Sequence, residues 1–300
     1  MSTKRVLVVG NVNLETTLQL GAFPLPGSSS YHPHGIDLNV SGVGFNVARA
    51  LQVLGTEVRL GSVVGSDEVG AFVGVTLEKL GLSGHLHNVA RTGRSLVISD
   101  ATGARHVHTD VGGVADATYP PEVFDVAVAD CGLAVLTNID YTRPLLARAL
   151  AAGVPVSTDL HATRDLDNPY DQDYLGAASL LFLSGENLPD PLRTVADLRR
   201  RFDPEIVVVG LGADGALLSE KTRETRRVPA FPASGVVSTV GAGDALHAAF
   251  CHFWLAGEAP GDALRLACVF AAQKLTGSGG STGFVSEAEV RKLEDQAPLT

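Results

Sequence analysis

Residues 236–250 read VVSTVGAGDALHAAF, a turn of small residues that wraps one carboxylate, Asp244, and runs straight into an apolar helical segment. Successive small residues let backbone N–H groups approach an anion closely, and a helix starting near Asp244 adds the positive end of its dipole. Two readings are open. Asp244 caps the helix, or it takes a proton from a hydroxyl nucleophile while the N–H groups of Gly241, Ala242 and Gly243 hold developing charge. The stretch alone does not choose between them.

Outward from that helix, short apolar runs alternate with segments of helical period. Strands are expected at Arg5–Gly10, Glu57–Val64, Val154–Asp159, Leu180–Leu183 and Ile206–Gly210, with another inside Val126–Leu136. Helical spacing marks Phe45–Leu54, Val69–Leu80, Pro144–Ala152, Thr194–Phe202, Asp244–Leu255 and Ala263–Leu275. Such alternation implies βαβ units, and hence a parallel sheet covered on both faces. Two stretches break the rhythm. Residues 15–40 are punctuated by Gly, Pro and Ser, and residues 92–112 alternate polar and apolar around the turn Ala101–Ala104. Two β insertions in an α/β chain would pair into a small second layer, a lid. No internal repeat, low-complexity tract or long linker divides residues 1–300, so one domain is expected.

The bulk numbers narrow the partners. The chain has 300 residues, 45% hydrophobic and 19% charged, with a net charge of −10. That composition is globular, and the acidic balance argues against a general role on nucleic acid or a membrane surface. Any phosphate site must then be local, built from backbone N–H groups and helix ends. The three cysteines, Cys131, Cys251 and Cys268, are scattered without metal-type spacing, which fits buried thiols in a reducing cytoplasm. No segment approaches the roughly 18 uninterrupted apolar residues of a membrane helix.

Other constellations are weaker. Ser41-Gly42-Val43-Gly44-Phe45-Asn46 is a second glycine turn opening an amphipathic helix, either a tight turn with a capping Asn or a polar contact point. Val208–Ala216 runs an apolar strand into Gly210, Gly212, Ala213 and Gly215, which suits a nucleotide against backbone or a plain hairpin. It carries neither a Walker lysine nor GxGxxG before a helix, so P-loop and Rossmann readings lack support. His32 with His34, and His106 with His108, alternate on strand-like segments without a third metal ligand. His247 and His252 lie five apart on one helical segment, poor spacing for a shared face.

Taken in order, these elements resemble the PfkB, or ribokinase-like, family of sugar and nucleoside kinases. Gly10-Asn11-Val12-Asn13-Leu14-Glu15 resembles the family's G-x-x-N-x-D element, with Glu15 in place of Asp. Ser41-Gly42 through Asn46 is similar to G-G-x-x-x-N, residues 65–70 to G-x-D-x-x-G, and Gly103-Ala104-Arg105 to the G-E-R of a lid hairpin. Residues 238–244 resemble the D-T-x-G-A-G-D signature, with Ser238 in place of the first Asp. The matches span essentially the whole chain.

The resemblance implies a three-layer α/β/α sandwich with a mostly parallel central sheet and a small β lid. It implies transfer of the γ-phosphate of ATP to a hydroxyl of a sugar or nucleoside, with Asp244 as base and the N–H groups of Gly241, Ala242 and Gly243 as anion hole. By matching position, Asn13, Glu15, Gly42 and Asn46, and less directly Asp140, would contact the acceptor. Ser184, Asn187, Gly210, Gly212, Ala213, Gly215 and Gly243 would border the nucleotide. Mg²⁺ would ride on ATP, with Glu186 as an indirect ligand in place of the usual acid. Activation by a monovalent cation such as K⁺ is left open by Ser238, and a homodimer through the lid is expected. The rival reading is a non-catalytic sugar- or nucleotide-binding protein that keeps the fold.

Overall fold

Val6 through Val9 are all buried, with Val6 and Val8 packed in one apolar cluster and Leu7 and Val9 in another. That period of two is what a strand between two helical layers imposes. The computed structural model describes residues 5–296 apart from 22, 24–26, 28–34, 83, 101–104 and 234.

In chain order the strands are β1 (Arg5–Val9), β2 (Asn13–Gln19), β3 (Gly35–Ser41), β4 (Glu57–Gly65), β5 (Gly84–Val89) and β6 (Arg94–Ser99). They continue as β7 (Arg105–Asp110), β8 (Leu133–Leu136), β9 (Val156–Asp159), β10 (Leu180–Ser184), β11 (Ile206–Gly210), β12 (Ala216–Glu220) and β13 (Arg226–Val228). The helices are α1 (Val43–Val53), α2 (Glu68–Leu80), α3 (Pro121–Val128), α4 (Arg143–Ala151) and α5 (Gln172–Ala177). After them come α6 (Pro191–Arg201), α7 (Ala242–Leu255), α8 (Pro260–Lys274) and α9 (Glu287–Asp295).

The large sheet has the order β13-β12-β11-β10-β9-β8-β1-β4-β5. Its strands pair in parallel from β5 to β11, and only β12 and β13 run antiparallel, at one edge. Helices α1, α2, α7, α8 and α9 contribute to the cluster on one face, and α3 to α6 to the cluster on the other. The chain reverses direction across the sheet at β1, flanked by β8 and β4. A crevice at the carboxyl ends of strands around such a reversal is where open α/β sheets bind ligands. Asn11, Asp159, Ser184 and Gly210 all stand at that rim.

The two insertions form a separate four-stranded sheet of order β3-β2-β6-β7. Its hairpin pairs are antiparallel, and β2 joins β6 in parallel. The expected turn at 101–104 and the pair His32 and His34 lie outside the described residues. His106 and His108 are exposed on β7.

Some elements escaped the period. The window 126–136 contains the end of α3 before the strand β8. The edge strand β5, GHLHNV, is half polar, and α9 buries only Val290. Both are rich in polar residues and bury few or none, so no apolar run marks them.

Candidate active site

The turn at 241 is set by sterics. Gly241 has φ 77° and a Cβ there would lie 2.3 Å from the Gly280 carbonyl oxygen, so no side chain fits. Gly241 is the N-cap of α7, and no side chain caps the helix. Asp244 is therefore not a cap. It sits in the first turn, 8% exposed, and its Oδ2 accepts a 2.7 Å hydrogen bond from Asn46 Nδ2.

Asn46 comes from α1, whose N-cap Gly42 has φ 103° and likewise lacks a side-chain cap. Two glycine-opened helices thus meet through one amide and one carboxylate. Behind them, Ser41 Oγ donates to Glu15 Oε2 at 3.0 Å, and the Gly280 N–H donates to Glu15 Oε1 at 3.4 Å. Glu15 is buried, with both oxygens engaged by the protein. Asn13 donates to Ser95 Oγ at 3.3 Å, while its buried Oδ1 has no partner among the described residues.

Burial pushes the Asp244 carboxyl up, to about 6, although His161 and the Asn46 bond pull it down. A carboxylate poised there is able to take a proton near neutral pH. Asp159 and His161 stand beside it. One ligand atom of each of Asp159, His161 and Asp244 lies within 4.8 Å of the others. Asp159 ends β9 and its Oδ1 accepts the His161 N–H at 2.8 Å, holding that residue at φ 56°. No sequence pattern announces this pair, because Asp-Leu-His is an ordinary strand end until the fold brings it to Asp244.

The first turn of α7 opens on a cleft of about 730 Å³, lined among others by Arg105, Glu186, Gly210, Gly212, Ala242 and Gly243. The volume suits a small organic ligand. The Ala242 N–H makes a long 3.3 Å bond to Thr239 O, and the remaining N–H groups of a first helical turn have no helical acceptor. Across the cleft, Ser184 pairs in register with Gly210, and the Gly185 N–H donates to Gly210 O at 2.8 Å. The Gly210–Gly215 stretch is both a hairpin turn between β11 and β12 and a wall of the cleft. Asn187 donates to Ala162 O at 3.3 Å. From the lid, Arg105 on β7 hydrogen-bonds Thr239, so lid and glycine turn are joined.

Asp140 opens the short 3₁₀ turn after β8, where it is exposed and pairs with Arg143 at 3.3 Å.

Residues 3–136 and 177–287 match the model of the pfkB family carbohydrate kinases. The chain belongs to this family. It is 30% identical over 291 residues to an acarbose 7(IV)-phosphotransferase of Actinoplanes sp., covering 94% of this chain and 96% of the relative. It is 31% identical over 265 residues to an ATP-dependent ribose-1-phosphate kinase of Halopiger xanaduensis, covering 84% and 85%. In structure it is similar to a microbiome-derived acarbose kinase, with TM-score 0.90, 26% identity and coverage of 97% and 99%. A ribokinase of Arabidopsis thaliana complexed with ribose and ATP shares the fold at TM-score 0.82 and 21% identity.

This pfkB family member is a phosphotransferase with an alcohol group as acceptor. Asp140, Asp159 and His161 fall in residues 137–176, between the two matched segments. Among the described residues, no helix is long and apolar enough to cross a membrane.

Proposed function

We propose that this kinase transfers the γ-phosphate of ATP to a hydroxyl of a sugar or nucleoside, with Asp244 as the base. One observation carries the reading. A buried carboxylate with its proton affinity raised to about 6 sits in the first turn of a helix that opens, uncapped, on a cleft. A protein that only binds sugar needs no such group.

In the reaction, Asp244 takes the proton of the acceptor hydroxyl, whose oxygen attacks the γ-phosphorus as the bond to ADP breaks. The N–H groups of Gly241, Ala242 and Gly243, at the positive end of α7, hold the charge on the transferring group. Asn46 fixes the carboxylate's orientation. The Oδ1 of Asn13, without a partner among the described residues, accepts from an acceptor hydroxyl, and the Gly42 backbone borders the same side. The nucleotide lies along Gly185, Glu186 and Gly210–Gly215, with Ser184 and Asn187 shaping that wall.

Mg²⁺ fits the oxygen donors here, Asp159 and Glu186, better than the imidazole of His161. Held by those carboxylates through water and by ATP, it would neutralise phosphate charge. The lid closes over the acceptor and excludes water, so lid and central sheet act as one unit.

The kinase pairs through its lid with a second copy. Leu38, Thr16 and Leu96 are in register across β3, β2 and β6, as are Ile36, Leu18 and Ile98, so they share one face. Ile36 and Leu38 on that face are 63% and 60% exposed, which a partner would cover. The three buried free cysteines suit a cytoplasmic setting.

The test is an ADP-release screen with ATP and Mg²⁺ over sugars, sugar phosphates, oligosaccharides and nucleosides. Turnover of at least one acceptor, lost in Asp244→Asn, is the expected result. Undiminished transfer by that variant overturns the mechanism.

A further inference from the structure

One charged group inside the molecule has no part in the chemistry above. Lys274, the last residue of α8, is 0% exposed and ranks among the largest fully buried side chains. A lysine at a helix C-terminus ordinarily complements the dipole from the surface, with its ammonium in water. This one turns inward. Its Nζ donates to the carbonyl oxygen of Ser238, at 3.4 Å, and that is a thin set of bonds for a group with three donors.

Stability does not explain it. Removing an ammonium from water is costly, and an apolar side chain of equal volume usually packs such a site at no loss. The surroundings do offer an explanation. The charges that act on Lys274 are those of Glu15 from β2, Asp244 from α7 and Arg105 from β7, two carboxylates and one guanidinium. Burial pulls its own proton affinity down to about 8, against the pull of the two carboxylates, so the ammonium is charged at neutral pH.

Its place in the backbone network adds a second argument. Ser238 begins the turn that carries Gly241 to Asp244. The Leu275 carbonyl, one residue beyond Lys274, accepts the N–H groups of Val237 at 2.8 Å and Ser238 at 3.2 Å. The end of α8 thus grips the root of the turn at three bonds, one of them from a charge. Gly280, on the loop that follows α8, packs beneath Gly241 and against Asn46.

We propose that Lys274 is a positioning residue for phosphoryl transfer: a cation built into the chain, its ammonium holds the Ser238 carbonyl and balances Glu15 and Asp244 under the anion-binding turn. It touches no substrate. Without it, two buried carboxylates repel each other and the incoming phosphates, and the turn loses a fixed anchor. A tethered ammonium at this spot does the work that a bound monovalent cation would do, so the kinase needs none there. This rests on the kinase reading above.

The experiment compares Lys274→Met, which keeps the volume and removes the charge, with Lys274→Ala, which leaves room for a small cation. Rates of ADP release are measured with ATP, Mg²⁺ and the best acceptor of the screen, in tetramethylammonium buffer. The wild type should be indifferent to added K⁺, ammonium or methylammonium. Lys274→Met should melt at or above the wild-type temperature yet lose about 10²-fold in kcat, the scale of a misplaced reacting group, with acceptor KM little changed. Lys274→Ala should lose as much and regain about tenfold or more with ammonium or methylammonium, the reverse of an entropy-type positioning loss. A methionine variant with wild-type kcat overturns the proposal. So does a folded alanine variant that no cation restores, or a wild type that K⁺ stimulates as strongly as the variant. Should the alanine variant not fold, kcat of the methionine variant decides alone. A wild type that turns over no acceptor overturns the kinase reading, and this inference with it.

Discussion

Asp67 and Asp244 both follow a glycine-containing turn and stand at the start of a helix, yet their carboxyls shift in opposite directions. Asp67 is the N-cap of α2 and accepts from the Gly70 N–H at 2.9 Å, the Thr92 N–H at 3.1 Å and Thr92 Oγ1 at 2.6 Å. Burial would raise its pKa, but these donors outweigh it and bring the carboxyl down to about 2. Asp244 caps nothing, receives one amide from Asn46 and is pushed up to about 6 by burial. A carboxylate saturated with donors is a structural tie, here between α2 and the start of the lid. A carboxylate starved of them keeps its affinity for a proton, and that is what a base requires.

The largest expected effect is on Asp244. Asp244→Asn keeps the shape and removes the base, and should lower kcat by about 10³-fold while ATP binding stays near wild type. Stopped-time ADP release and nucleotide titration measure the two separately. Gly241→Ala should follow. Its Cβ meets the Gly280 carbonyl and its φ is 77°, so the turn must shift and kcat should fall about 10²-fold.

The pH profile comes next. Asp244 acts only when deprotonated, so kcat should fall about tenfold per unit as pH drops below about 6. Asn46→Ala removes a donor that favours the carboxylate, so the acid limb should move to higher pH. An unmoved limb would show that another group sets it.

The smallest effect on catalysis is expected from Asp67→Ala. It should cost about 1–2 kcal/mol of stability, as the loss of an N-cap does, and leave kcat within about twofold. Its sign with pH is fixed by the lowered pKa. The contribution is full above the ordinary carboxylate range and fades as pH falls from there to about 2. Thermal melts of variant and wild type should therefore converge in acid.

Much of this was legible before folding. The alternation of apolar runs and helical segments gives the parallel sheet, since buried strands and amphipathic helices each leave a period in the chain. Glycines at 42, 212 and 241 mark where backbone must turn through positive φ. Largely polar elements such as α9 and β5 left no comparable apolar run. Glu15 illustrates another limit. Its place in the motif suggests acceptor contact, yet both its oxygens are engaged by Ser41 and Gly280, residue 280 being 265 positions away in the chain. Asp140, also matched by position, pairs with Arg143 three residues on, a contact that its motif does not announce.

Local order therefore determined most of the elements and the turns, and marked Asp244 as either a cap or a candidate base, because propensity, period and backbone freedom act over a few residues. What surrounds the base was settled by the fold alone. Asn46, Asp159, His161, Glu15 and Lys274 reach Asp244's neighbourhood from α1, β9, its following turn, β2 and α8. Burial and opposing charge are properties of that assembly. They make Asp244, which by local sequence alone reads equally as a helix cap, a group able to take a proton.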